Sequence, residues 1–245
     1  MKELMWTGKG LMPAYDSKDL LSIEHLCGAI ESGDPIKEIK TIKIGIIPSM
    51  QNGLPSIVKL IRKHGLDISL TLDLQKLGND VEDVLQKIVE TAHSNVQAII
   101  VFPFAGPAAE RAVIAQCRKM DIEVIVGGEL TIPQFLKSQG GYIADDAPER
   151  ILNLAIDEFG VNHFVVPGNK PERVKVYRAL FDEKIGAGKY TMISPGFKFQ
   201  GGKINEINEI AGPNWIAVIG RAIFKQSTEL SMRLAMLNLV KELNG

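Results

Sequence analysis

Cysteine, histidine and aromatic residues are all scarce in this chain: 245 positions hold two cysteines, four histidines and 6% Phe, Trp and Tyr. Cys27 and Cys117 sit far apart in helix-like segments and match no metal or redox spacing, so both read as core thiols. His25, His64, His93 and His163 form no ligand spacing either, and His64 and His93 fall at helix ends. No metal and no cofactor is expected. Neither sign of charge is in excess: the formal net charge is −1, which excludes a global field for nucleic acid or an anionic membrane. An anionic ligand must therefore be held by a local site. No stretch reaches the ~18 apolar residues of a membrane span. The N-terminus has no apolar run of signal-peptide length, so a cytoplasmic location is expected by default.

What the chain has is ample hydrophobic content, 45% against 23% charged, enough for a full core. Short apolar runs alternate with stretches of helical period. The runs predict strands over 10–15, 41–47, 68–72, 96–102, 122–126, 162–166, 190–193 and 215–219. Helical patterns cover 18–31, 54–64, 81–93, 107–120 and 226–243, the third with apolar residues at Val81, Val84, Leu85 and Ile88. Strands apolar on both faces, alternating with helices, mean a parallel sheet covered by helices. Eight such units fit a single (β/α)8 barrel domain over residues 1–245, with no linker or composition shift to divide it. An open doubly wound sheet is the rival, but no Gly-x-Gly-x-x-Gly follows the first strand.

In such barrels chemistry gathers at the carboxyl ends of the strands. Charge does collect there: Asp16 after strand one, Lys43 between isoleucines in strand two, and Asp73, Lys76 and Asp80 after strand three. Glu129 and Thr131 follow strand five, and Arg221 ends strand eight. An unpaired buried ion costs several kcal/mol, so a buried strand expels charge unless its end opens onto a site. The plain alternative has Asp80 capping the next helix and Lys76 in a surface ion pair. Glycine-rich segments after strands seven and eight mark a phosphate site, where Gly196, Gly201 and Gly202 let backbone approach a ligand. Gln200 can donate an amide proton there, and Arg221 can contact phosphate oxygens bidentately. Lys198 either touches that phosphate or is solvated. Trp6 and Trp215 read as packing residues, and Glu129 as a residue orienting its loop.

Both ends together resemble the orotidine 5'-monophosphate decarboxylases, in a divergent, archaeal-like form. The loop from Pro195 and Gly196 through Gln200, Gly201 and Gly202 looks like that family's phosphate grip. The strand-eight stretch with Gly220 and Arg221 looks like its strand-eight signature, and the segment 167–172 like the one after its sixth strand. The family's Asp-x-Lys-x-x-Asp appears here as Asp73-x-x-Lys76-x-x-x-Asp80, one residue longer in each interval. Phe197 and Phe199 are also bulkier than the residues expected in the phosphate loop.

The resemblance implies a cofactor-free decarboxylation yielding uridine 5'-monophosphate, with catalytic residues Lys43, Asp73, Lys76 and Asp80. Lys76 would protonate carbon 6, Asp16 would contact the sugar and Thr131 would read the pyrimidine edge. It also implies a homodimer in which the partner subunit lends Asp80. Two rivals stand beside this: a Mg²⁺-dependent sugar-phosphate decarboxylase or aldolase of the same superfamily, and a noncatalytic barrel that binds a phosphate ligand. The first needs an added carboxylate near strand two, where 45–48 supplies none.

Overall fold

The computed structural model describes residues 3–74 and 77–245. Eight parallel strands close on themselves in sequence order, a TIM barrel. They are β1 (Lys9–Tyr15), β2 (Thr41–Gly45), β3 (Ser69–Asp73), β4 (Ala98–Val101), β5 (Glu123–Gly127), β6 (His163–Val165), β7 (Thr191–Ser194) and β8 (Trp215–Ile219). Between and after them run α1 (Leu20–Glu31), α2 (Ile46–Asn52), α3 (Leu54–Lys63), α4 (Glu82–His93) and α5 (Pro107–Lys119). The second half adds α6 (Ala147–Phe159), α7 (Pro171–Lys184), α8 (Ile204–Ile210), α9 (Arg221–Phe224) and α10 (Glu229–Asn244).

The two-residue period of a strand sorts side chains into two cores. Ile42, Ile44, Leu70, Leu72, Ile99 and Val101 face outward under the helices. Met12, Ile100, Ile125, Val165, Ile193 and Ile216 fill the barrel itself. Trp6 joins them at the amino-terminal end, donating its indole N–H to Ser69 Oγ at 3.1 Å and lying 5.2 Å from the His163 ring. With Ile42 and Ile44 committed outward, Lys43 between them must point into the barrel.

Strand two ends sooner than the sequence predicts. Its register with β3 stops at Gly45 opposite Asp73, and Ile46 and Ile47 open α2 instead, with Pro48 in the first turn. Helix α4 buries Leu85, Val89 and Ala92 and leaves Val81 and Val84 exposed. Cys27 in α1 and Cys117 in α5 are buried and unbridged, and burial pushes both thiols up to about 12. They are core thiols, as the sequence reading has them.

Glu110, in the first turn of α5, is buried, and its Oε1 has no hydrogen-bond partner among the described residues. Burial pushes its carboxyl up to about 8, against the pull of Arg111 and with a smaller push from Glu158. The folded chain thus holds this proton more tightly than the unfolded one. Its stabilising contribution is complete below the ordinary carboxylate range and is lost as pH rises towards 8. Glu110→Gln should therefore melt a few degrees above the parent at pH 8, with the gap shrinking at pH 5. Equal gaps at the two pH values in thermal melts would contradict this.

Candidate active site

The site is built on Lys43. Its strand register sets it beside Ala14 of β1 and Thr71 of β3, at the level where the barrel opens. From there Nζ donates to Asp73 Oδ2 at 2.9 Å and to Asp16 Oδ1 and Oδ2 at 3.2 and 3.3 Å. Side-chain exposure rises along the line from 6% at Lys43 and 10% at Asp73 to 49% at Asp16. Burial opposes the ammonium, but the fields and hydrogen bonds of Asp73 and Asp16 outweigh it and hold the Lys43 pKa above its ordinary value. The lysine stays charged through the neutral range. Gly45 makes room for this arrangement, because a Cβ there would collide with the Asp16 carboxylate.

Lys76, the proton donor of the sequence reading, lies outside the described residues. Of the same loop, Leu77 and Gly78 are buried and Asn79 lines the cleft. The Asn79 amide donates to the Phe102 carbonyl at 2.7 Å and accepts from the Ala105 N–H at 2.8 Å, joining this loop to the one after β4. Asp80 is exposed and outside the cleft, its Oδ1 accepting from the Val81 N–H at 2.8 Å. That bond goes to the residue before the helix and is no cap of α4, whose first turn has no side-chain cap. Asn79 is a lining residue that the sequence reading missed, as are Ser17 and Lys225. The only sequence signal for Asn79 is its place beside Gly78, one residue before the aspartate that was chosen.

After β5, Glu129 is fully buried and Thr131 reaches the cleft wall. Glu129 takes Lys170 Nζ at 2.9 Å, Arg173 Nε at 2.7 Å and the Tyr177 hydroxyl at 2.5 Å, all from the β6 side. Burial raises its pKa, but these three donors outweigh that and leave the carboxyl below its ordinary range. Asn169 Nδ2 donates to the Thr131 carbonyl at 2.9 Å, completing the tie between the two loops. Glu129 is thus an orienting residue, as its position in sequence suggested.

Across the cleft, Pro195, Gly196, Gln200, Gly220 and Arg221 line the opposite end, and the whole space holds about 710 Å³. Gly196 has φ +112, and a Cβ there would press on the Asn169 backbone and the Thr131 methyl. Gly201 and Gly202 face away from this cleft and serve the loop itself. The amides of Lys198, Gly201 and Gly202 donate to Gly202, Lys198 and Gly196 carbonyls, so these three are already occupied. Lys198 lies outside the cleft, and the solvated alternative holds: it is exposed and pairs at the surface with Glu242 of α10 at 2.6 Å.

A closed (β/α)8 barrel with a paired Asp–Lys–Asp line at one side of its carboxyl rim and an arginine beside a glycine-rich loop at the other defines a barrel enzyme. No protein-family model matches the chain. It is similar, however, to seven curated orotidine 5'-phosphate decarboxylases, mainly archaeal. The protein of Methanosarcina mazei is 27% identical over 198 residues, covering 80% of this chain and 82% of its own. That of Methanocaldococcus jannaschii is 30% identical over 149 residues, 60% of this chain and 62% of its own. Among solved structures, the Methanocaldococcus jannaschii enzyme with the inhibitor BMP superposes with a TM-score of 0.79 at 23% identity, covering 97% of this chain and all of that one. The Pyrococcus horikoshii enzyme gives 0.73 at 20% identity over 96% of this chain and 99% of its own. The fold is thus theirs, and the sequence resemblance extends over most of the chain.

Removing a buried charge while leaving its partners is costly, on the order of 3 kcal/mol. Glu129→Gln leaves Lys170 and Arg173 short of their carboxylate and should lower stability by about that much. Urea unfolding measures it, and a midpoint unchanged from the parent would show that Glu129 does not hold the β5 and β6 loops together.

Proposed function

We propose that this chain decarboxylates orotidine 5'-monophosphate to uridine 5'-monophosphate, a step of pyrimidine synthesis, without metal or other cofactor. The observation that carries this reading is the Asp16–Lys43–Asp73 line at the cleft floor, with Asp73 as its buried end. The pyrimidine carboxylate departs as carbon dioxide, and the electron pair of the broken bond stays on carbon 6 in an orbital with no π-system to spread it. Stabilisation must then be electrostatic. Lys76, three residues beyond Asp73, is assigned the ammonium that meets this charge and delivers its proton to carbon 6. Asp73 and Lys43 fix the field in which that ammonium sits. At an effective dielectric of about 20, each contact near 4 Å is worth on the order of 4 kcal/mol, so alternation of sign is what allows the charges to coexist.

Asp16 is assigned to the sugar and Thr131 to the pyrimidine edge. Gln200 and Arg221 are assigned to the phosphate, with Pro195, Gly196 and Gly220 shaping the space around it. Gly201 supports that loop from behind. Binding energy at the phosphate can then be spent on the reacting carbon.

Asp80 is assigned to the neighbouring subunit of a homodimer. Within its own chain the cleft-side position after Gly78 is taken by Asn79, an uncharged group, while Asp80 faces outward. It is flanked by exposed Val81 and Val84, and α2, on the adjacent barrel unit, exposes Ile46, Ile47 and Met50. Apolar residues on two adjacent units at the same rim suit a second copy of the chain.

The deciding experiment follows the loss of orotidine monophosphate absorbance with purified protein, with and without excess chelator. Turnover in both conditions is expected. Turnover abolished by chelator and restored by Mg²⁺ would favour the sugar-phosphate branch, and no turnover in either would favour a binding barrel. In the same assay, co-expressed Lys76→Ala and Asp80→Ala chains should regain roughly a quarter of parental activity per site, since about half the dimers are mixed and each holds one intact site. Mixed dimers as inactive as either variant alone would place Asp80 outside the partner's site.

A further inference from the structure

The strand-seven loop places an aromatic ring where two cations converge. Phe199, half exposed, stands at the cleft with its ring centre 4.5 Å from Arg221 Cζ and 4.6 Å from Lys225 Nζ. Both cations line the cleft beside Gln200. Lys43, Lys170, Arg173 and Lys198 each meet a carboxylate, whereas Arg221 and Lys225 have none among the described residues. Two like charges gathered on one ring without a counter-charge make a local field that attracts an anion.

The loop is built to hold the ring in place. Phe197 is buried edge-on against Trp215 at 5.8 Å, and Lys198 is tied to Glu242. Lys198 adopts φ +61, a left-handed conformation that a non-glycine residue keeps only when its neighbours enforce it. These two anchors before Phe199, and the Gly202 N–H bonded to the Gly196 carbonyl after it, therefore set the ring over the two cations. A flexible loop of small residues would not do so.

We propose that Lys225 is a second cationic ligand of the substrate's phosphate, gathered with Arg221 by the Phe199 ring. This rests on the reading of the β7–β8 end as the phosphate end. With Arg221 supplying a fork of donors and Lys225 a compact ammonium, the pair favours a phosphate dianion over its monoanion.

Titration calorimetry with uridine monophosphate, inorganic phosphate and uridine tests this on the intact protein. Lys225→Met, which keeps most of the chain length, should weaken uridine monophosphate and phosphate about tenfold and leave uridine unchanged. Lys225→Arg should restore most of the loss. Parental affinity for uridine monophosphate should rise as the phosphate loses its second proton near pH 6, more steeply than in Lys225→Met. Phe199→Leu should weaken the nucleotide by a smaller factor, and an unchanged affinity there would remove the ring from the proposal. Lys225→Met binding phosphate and nucleotide as the parent does would overturn the role of Lys225. A parent that binds neither would overturn it together with the phosphate end. If phosphate depends on Lys225 while the nucleotide binds no better than phosphate, the cation pair stands and the nucleotide reading falls.

Discussion

The site depends on an ammonium kept charged inside a barrel. An ion at that depth costs several kcal/mol unless it is paired and hydrogen-bonded, and Lys43 meets that condition twice, at Asp73 and at Asp16. Each partner depends on the lysine in turn. Asp73 is nearly as buried as Lys43, and Asp16 can approach only because Gly45 has no side chain. The fold serves this line directly: strand period turns Lys43 inward, and the β1–β2–β3 register brings the three strand ends together.

Most of the barrel was legible in the sequence because its strands are apolar on both faces and regularly spaced. The end of β2 was not, since Ile46 and Ile47 continue the apolar run and only the loss of a paired neighbour beyond Gly45 stops the strand. Lys43, Asp73 and Asp16 were legible for the opposite reason. A lysine flanked by isoleucines in a buried strand has no cheap alternative to a site. Asn79 and Asp80 are neighbours of similar size, and their opposite directions come from backbone turning at Gly78, which spacing alone does not encode. The Lys198–Glu242 pair joins residues 44 positions apart and left no local trace at all.

The two ends of the cleft are made by different means. At the β2–β3 side, Lys43 and Asp73 are buried and paired with each other, so their field is fixed before any ligand arrives. At the β7–β8 side, Arg221 and Lys225 are exposed and unbalanced, held against an aromatic ring. Such a division suits a reaction in which remote binding energy is spent at a preorganised centre.

A double-mutant cycle on kcat/KM for orotidine monophosphate, with Lys43→Met, Asp73→Asn and the pair combined, tests the interdependence of the buried line most directly. If the charges act as one unit, each single change should remove most of the activity, and the double variant should be no worse than the poorer single. Losses that multiply in the double variant, with circular dichroism native throughout, would show that Lys43 and Asp73 act independently and contradict a shared field at the cleft floor.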